Sequence, residues 1–168
     1  MKNLTLTQEY LICALNKKGV LPSYNQEAAA CLVVSGLLEL ETEGCISIVD
    51  KKITVRSKLP EKLNNLKPLY SLIDRKRAVK LQKVFDKYII AYTDRRIRTL
   101  IASVMAPLKK DGSVVSITGG LIRKKERFVP TKETLNQVVE KIRAELLEKG
   151  PLTEDVIALT ALLNKAGR

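Results

Sequence analysis

The spacing of hydrophobic positions along the chain predicts several amphipathic helices. Apolar residues recur every three or four positions, which is the period of one helix face, and polar or small residues separate the runs. The T-x-x-Q pattern of residues 5–8 is a capping box, so we expect a first helix over residues 7–17. Residues 28–40 are apolar on nearly every face, and this second helix is therefore predicted to lie at the centre of the fold. Its Gly36 predicts the close approach of a neighbouring backbone.

Five more helices are expected in the rest of the chain. Each has apolar residues at helical spacing, and a proline or capping residue precedes most of them, at Pro60, Asp94, Thr131 and Thr153. The sixth helix is expected over residues 131–149. The periodic apolar residues are Leu63, Leu66, Leu69, Tyr70 and Ile73 in the third helix; Val79, Val84, Phe85 and Tyr88 in the fourth; Ile97, Leu100, Ile101, Val104 and Leu108 in the fifth; and Leu135, Val138, Val139, Ile142 and Leu146 in the sixth.

Runs of β-branched residues predict two short β-hairpins. The first joins residues 45–49 to residues 52–55, and the second joins residues 114–117 to residues 127–129 through a long basic loop. Together with the helices, these patterns predict a mainly α fold. We expect a single globular helical domain over residues 1–168 with two short β-hairpins.

The composition is that of an ordinary globular protein, since 45% of the 168 residues are hydrophobic and 29% are charged. No apolar run approaches the roughly 18 residues of a membrane span, and the first residues lack the apolar core of a secretion signal. We therefore expect a soluble cytoplasmic protein. Histidine, the commonest general base and metal ligand, is absent, and there is no phosphate-binding loop of the P-loop or dinucleotide-binding type. These features favour a binding protein over an enzyme, with no cofactor.

The positive charge is concentrated in the middle of the chain. The net charge is +12, and residues 51–127 carry 21 Lys or Arg against six acidic residues, whereas residues 1–50 are net negative and residues 128–168 are balanced. A segregated basic segment creates a directional field that attracts polyanions. Nucleic acid and an anionic membrane surface are the two candidate partners.

A winged helix is one arrangement that fits this charge pattern, because Arg95, Arg96 and Arg98 begin a helix that a hairpin follows. A winged-helix-like nucleic-acid-binding protein is therefore the alternative function. Against it, the helix offers neither Asn nor Gln to contact adenine, and the basic residues extend over the loops and the hairpin tip as well.

Segments in collinear order across nearly the whole chain resemble the Golgi phosphoprotein 3 family. They are residues 4–12, 36–40 with 43–46, 108–114 and 156–167. The resemblance implies a mostly helical domain that binds phosphatidylinositol-4-phosphate on the cytosolic face of Golgi membranes and, in eukaryotes, links glycosyltransferase tails to coat vesicles. It thus implies a peripheral membrane protein whose partners are anionic phospholipids or phosphoinositides and protein tails. Family members usually continue further at the C-terminus, so we expect a compact or truncated member.

The resemblance also implies a headgroup site. In the family this site uses a Trp at the start of the second helix, an Arg further along it, and two Arg one turn apart in the helix before the long hairpin. Tyr24 occupies the Trp position, and Arg98 matches the first of the paired Arg. Val33 and Ile101 replace the other two Arg, so half of the site is altered. The headgroup-binding residues that we expect are Tyr24, Arg95, Arg96 and Arg98.

The basic loop of the second hairpin is predicted to contact the membrane. Leu121 and Ile122 are adjacent apolar residues in a polar loop and are followed directly by Arg123, Lys124 and Lys125. Such a tip places aliphatic groups in the bilayer interface and cations at headgroup level. The alternative is that both aliphatic side chains fold back onto the core. The predicted function is recognition of anionic lipid headgroups through a basic surface and this hairpin tip.

Overall fold

In a computed structural model of the chain, the residues described are 3–22, 26–90, 94–119 and 125–168. They form a mainly α fold, which confirms the predicted fold class. None of the described helices is both long enough and apolar enough to cross a bilayer. The α-helices are α1 (Leu6–Ala14), α2 (Gln26–Thr42), α3 (Lys67–Ile73), α4 (Leu81–Phe85), α5 (Arg95–Lys110), α6 (Lys132–Leu147) and α7 (Glu154–Lys165); a 3-10 helix (Glu61–Leu66) precedes α3 and a π-helix (Asp86–Ile90) follows α4; the strands are β1 (Ile46–Val49), β2 (Lys52–Val55), β3 (Val79–Lys80), β4 (Val114–Gly119) and β5 (Lys125–Pro130).

The hydrophobic core is built around α2. This helix packs against α1, α3, α7, the π-helix and β1, and Leu32 and Leu40 within it are fully buried. The predicted central position is confirmed, because a helix that is apolar on all sides must be surrounded. The capping box of α1 is confirmed as well: the Gln8 amide donates to the Thr5 hydroxyl at 3.4 Å, and the Thr5 amide donates to the Gln8 side-chain oxygen at 3.1 Å.

The first predicted hairpin is formed by β1 and β2. Asp50 and Lys51 make its turn, with φ angles of 51° and 59° that suit a tight two-residue turn. A short third strand, β3, pairs with β2 and places Val79 opposite Ile53. The prediction that Val79 belongs to a helix is wrong, because pairing with the fully buried Ile53 outweighs the helical spacing of a residue just before α4.

The second predicted hairpin is formed by β4 and β5. It follows Gly112, which has the positive φ of +78° that commonly ends a helix. The two strands pair from the base at Val114 as far as Gly119, which lies opposite Lys125. The strands are longer than predicted, and Lys125 belongs to β5 instead of the loop. Each additional pair satisfies further backbone amides and carbonyls, so pairing continues past the β-branched run.

Gly36 packs against a side chain and not against a neighbouring backbone. A Cβ at this position would lie 2.7 Å from Cδ2 of Leu69 in α3 and 3.4 Å from Cδ2 of Leu66. The prediction of a backbone neighbour is therefore wrong. The close approach itself is present, since α2 and α3 meet where α2 has no side chain.

Two predicted inward residues of α6 are exposed. Leu135 is 38% exposed and Leu146 is 57% exposed, whereas Val138 is 1% exposed. The helix lies at the edge of the fold against α1 and α7, so only a narrow stripe of its surface reaches the core. Its end at Leu147 also comes two residues earlier than predicted.

Candidate anion-binding site

Arg96 and Arg98 at the start of α5 lie on different faces of the helix. An α-helix turns by about 100° per residue, so Arg96 and Arg98 lie about 160° apart around its axis. The buried stripe of α5, which includes Leu100 and Ile101, lies between them. Arg96 borders this stripe beside Leu100, and Arg98 borders it beside Ile101. The helix thus places two predicted headgroup residues on opposite edges.

Arg98 has a carboxylate partner within its own helix turn. Its guanidinium group lies 3.2 Å from the Asp94 carboxylate in an i,i+4 ion pair, and the Arg98 side chain is 38% exposed. Arg95 is exposed and lies about 60° from Arg98 around the axis, so these two arginines are neighbours on one side of the helix, whereas Arg96 lies about 100° from Arg95. The three predicted arginines therefore do not converge on one point.

The remaining positions implied by the resemblance bring no charge to this region. Val33 is fully buried and Ile101 is 7% exposed, both within the hydrophobic core. Arginine at either position would need the surrounding core to open, because a buried guanidinium requires a partner. Tyr24 lies outside the described residues.

A pocket of about 710 Å³ opens beside Arg96, and its volume is that of a small-molecule site. Its wall is the segment that runs from α3 through β3 and α4 into the π-helix, and the first turn of α5 closes one side. Six of its described lining residues are cationic and none of them is acidic. We call this feature the basic pocket; its cations are Arg75, Arg77, Lys80, Lys83, Lys87 and Arg96, and its apolar lining is Leu72, Ala78, Val79 and Val84.

The strand β3 fixes the position of Lys80 at the edge of the basic pocket. Lys80 lies opposite Lys52 in the register of β2 and β3. The Leu81 amide also donates to the Lys51 carbonyl at 2.8 Å, which extends the pairing by one hydrogen bond. The first hairpin therefore anchors the middle of this wall.

Two buried side chains hold the helical part of the wall against the core. Val84 and Tyr88 are four residues apart, and they are 2% and 4% exposed. Lys83 and Lys87 each precede one of them and line the basic pocket at the surface. Burial raises the pKa of Tyr88 to about 12, and the positive charge of Arg96 acts in the opposite direction. The phenol therefore stays neutral and serves as packing behind the cations.

The cations of the basic pocket form no ion pair with a described residue. Two acidic residues belong to the same segment but do not line the pocket. Asp86 accepts a hydrogen bond from the Gln82 side chain at 2.8 Å, and Arg75 donates to the backbone carbonyl of Asp74 at 3.3 Å. The positive field of the basic pocket is therefore little compensated, and it attracts anions.

A comparison with known protein families decides the relationship of this chain. The family model described as Golgi phosphoprotein 3 (GPP34) matches residues 6–168. The chain belongs to the Golgi phosphoprotein 3 family. The resemblance inferred from the sequence is thereby confirmed. No curated protein matches the chain.

In this family member the second hairpin leaves α5 at the end opposite the basic pocket. Lys109, near the C-terminus of α5, forms an ion pair with Glu126 in β5. At 1.5 Å per residue, Lys109 lies about 20 Å along the helix from Arg96. Lys125 is exposed beside Glu126. The other predicted tip residues, Leu121, Ile122, Arg123 and Lys124, lie outside the described residues.

Sequence patterns did not indicate most of the basic pocket in this Golgi phosphoprotein 3 family member, since Arg96 is its only predicted headgroup residue. A usable signal exists in Lys80, Lys83 and Lys87, which recur at three- and four-residue spacing behind the basic run of residues 75–77. That spacing shows only that these lysines share one face of one segment. The concave shape depends on the packing of α5 against the π-helix, which local spacing does not specify.

Proposed function

We propose that this family member is a peripheral membrane protein that recognises anionic lipid headgroups through its basic surface and catalyses no reaction. The observation that carries the proposal is the basic pocket, where six cations surround a volume of about 710 Å³. None of these cations has an ion-pair partner among the described residues. Membership of the Golgi phosphoprotein 3 family supports a role in binding lipids or proteins at the cytoplasmic face of a membrane.

Electrostatic attraction of this size holds a protein reversibly on an anionic bilayer. Each Lys or Arg that reaches the headgroups contributes about 1 kcal/mol, and the attraction decays over a Debye length of about 8 Å at physiological salt. The cations that line the basic pocket are gathered in one region of the surface, so they act on the bilayer together. The attachment is therefore expected to be salt-sensitive and to turn the basic pocket towards the membrane.

The finer form of the proposal is recognition of phosphatidylinositol-4-phosphate. An arginine meets a phosphate through two parallel hydrogen bonds, and Arg98 stands at the matching family position. Asp94 already pairs with one nitrogen of the Arg98 guanidinium group at 3.2 Å, so this carboxylate competes with a headgroup phosphate for Arg98. Arg95, Arg96 and Tyr24 are the other proposed contacts, and protein tails are the proposed further partners.

Sedimentation with lipid vesicles tests the membrane function. The full chain is mixed with phosphatidylcholine vesicles that contain or lack phosphatidylserine, at low and at high salt. We expect sedimentation with the phosphatidylserine vesicles and a steep decrease as salt is added. Equal sedimentation with neutral and anionic vesicles at low ionic strength would overturn the membrane function.

Duplex DNA, tested on the same preparation, distinguishes the alternative function. The order of α5 followed by the β4–β5 hairpin is that of a winged helix. DNA binding that is tighter than vesicle binding and equally salt-sensitive would favour the nucleic-acid-binding alternative. We expect DNA binding to be the weaker of the two.

A further inference from the structure

The N-terminus of α5 lacks the features that normally stabilise the start of a helix. Its N-cap residue, Asp94, makes no capping hydrogen bond with its side chain, and its first turn contains no acidic residue. Three arginines lie in the first turns instead, at Arg95, Arg96 and Arg98, where the positive end of the helix dipole disfavours cations. This helix start is therefore electrostatically unfavourable, and the carboxylate of Asp94, next to it in the chain, offsets only part of the charge.

Three other helix starts in the chain show the capping contact that Asp94 does not make. Thr5, Thr131 and Thr153 have extended ψ angles of 162°, 155° and 150°, and each side chain accepts a hydrogen bond from an amide of its own first turn. The ψ angle of Asp94 is 8°. Asp is among the best capping residues when its backbone is extended. Rotation about the Cα–C bond of Asp94 is therefore the main change that separates its observed state from a capping state.

The Asp94 side chain is held by Arg98 instead. The carboxylate lies 3.2 Å from the guanidinium group, and the two side chains are 64% and 38% exposed. An exposed i,i+4 pair of this kind is weak and is screened by salt. A phosphate monoester carries about −1.5 to −2 charges and accepts two parallel hydrogen bonds from a guanidinium group. A phosphate that reaches Arg98 therefore replaces the singly charged carboxylate.

We propose that Asp94 is an autoinhibitory residue for headgroup binding at Arg98. In the unbound protein its carboxylate occupies the guanidinium group and repels an approaching phosphate. When a phosphate takes Arg98, the released carboxylate caps α5 by accepting from the amide of Arg96 or Ile97, the second and third residues of the helix. The proposal rests on the proposed function, because it requires Arg98 to contact an anion, and it adds the regulation of that contact.

Matched substitutions test the competition for Arg98. Asp94→Asn is compared with Asp86→Asn, which makes the same change of charge at another exposed aspartate, one whose carboxylate accepts from the neutral Gln82 side chain at 2.8 Å. The full chain is titrated with phosphatidylcholine vesicles that contain phosphatidylinositol-4-phosphate. We expect Asp94→Asn to tighten vesicle binding about fivefold and Asp86→Asn to tighten it less than about twofold. Equal gains in the two variants would refute the proposal.

The gain from Asp94→Asn must also depend on Arg98. In a protein that already carries Arg98→Ala, we expect Asp94→Asn to tighten vesicle binding no more than Asp86→Asn does, because no guanidinium group is left to release. A gain of the same size with and without Arg98 would mean that Asp94 acts only through its general negative charge, and the autoinhibitory contact would be excluded.

Amide hydrogen exchange tests the movement of Asp94. The first amides of a helix have no acceptor within the helix, so the amides of Arg96 and Ile97 should exchange quickly while Arg98 holds the carboxylate. With a soluble short-chain phosphatidylinositol-4-phosphate at saturation, we expect this exchange to slow severalfold more in the unmodified protein than in Asp94→Ala, which has no side chain to cap the helix. Slowing of equal size in both proteins would contradict the proposed movement.

Inorganic phosphate, titrated against the full chain, separates this proposal from the membrane function. Suppose that the protein sediments with no vesicle, but that Asp94→Asn tightens phosphate binding about fivefold and Asp86→Asn does not. That result would support the autoinhibitory contact and overturn the membrane function. Vesicle binding that Asp94→Asn tightens no more than Asp86→Asn does would leave the membrane function standing and overturn the autoinhibitory contact.

Discussion

Lys141 in α6 donates hydrogen bonds to both carboxylate oxygens of Glu9 in α1, at 2.9 and 3.0 Å. Glu9 is only 4% exposed, and its burial raises the pKa of this carboxyl above the ordinary value of 4.5. Lys141 opposes that shift, whereas the negative charges of Asp155 and Glu145 add to it. The ion pair thus connects the peripheral helix α6 to the core, and loss of Lys141 would leave a buried carboxylate without a partner, which is strongly destabilising.

Replacement of Lys141 should therefore destabilise the protein in a pH-dependent way. At neutral pH, Lys141→Met should lower the free energy of unfolding by about 3 kcal/mol, because it leaves a buried carboxylate without its partner. The raised pKa means that the folded state binds the Glu9 proton more tightly than the unfolded chain does. Protonation of Glu9 thus favours the folded state, and the deficit of the variant should shrink as the pH falls through the pKa of Glu9.

Urea unfolding of both proteins, at neutral pH and near the pKa of Glu9, measures this deficit. The double variant Glu9→Gln with Lys141→Met removes both charges and should recover much of the lost stability. A deficit that is the same at both pH values would contradict an electrostatic role for the pair.

A side chain at Gly36 should destabilise the contact between α2 and α3. Gly36→Ala places a Cβ 2.7 Å from Cδ2 of Leu69, which is fully buried and therefore cannot move freely. We expect a loss of about 1–3 kcal/mol in the free energy of unfolding, which is typical of overpacking. The double variant Gly36→Ala with Leu69→Ala should lose less stability than the sum of the two single losses, because the truncated side chain at position 69 removes the clash. Fully additive losses would show that the destabilisation does not come from the contact with Leu69.

Arg98 should contribute more to headgroup binding than an exposed cation elsewhere on the surface. Arg98→Ala should weaken binding to vesicles that contain phosphatidylinositol-4-phosphate by about fivefold or more, since it removes two charge-assisted hydrogen bonds. Lys149→Ala, in the exposed segment after α6, serves as the control and should have little effect. Stability should hardly change, because the exposed pair with Asp94 is worth well under about 1 kcal/mol. Equal effects of the two substitutions would reduce Arg98 to a general source of charge.

The apolar residues of the hairpin tip should anchor the protein at high salt. The double variant Leu121→Ser with Ile122→Ser removes two side chains whose burial in the bilayer interface is worth roughly 1.5–3 kcal/mol each, and this contribution is much less salt-sensitive than charge. We expect the variant to lose the vesicle sedimentation that the unmodified protein retains at high salt, with an unchanged unfolding temperature. A lowered unfolding temperature would instead place both side chains in the core.

Local sequence patterns determined most of the secondary structure and the family. The capping box at Thr5 and the all-round apolar surface of α2 depend on residues that are close together in the chain. They therefore indicate a helix without any knowledge of the tertiary contacts. The first hairpin is local for the same reason, since a two-residue turn at Asp50 and Lys51 sets its register. Collinear segments across nearly the whole chain resembled the Golgi phosphoprotein 3 family before any contact was known.

Tertiary structure decided the features that depend on residues far apart in the chain. Val79 adopts a strand because Ile53 is beside it in space, and Gly36 is needed because Leu69 packs across it. The basic pocket is of the same kind: Arg96 joins the cations of residues 75–87 only because α5 packs against the π-helix. Helical spacing indicates which residues share a face, but it carries no information about which faces meet. That choice is made by the burial of apolar surface over the whole domain, and it turns a run of basic residues into a concave site.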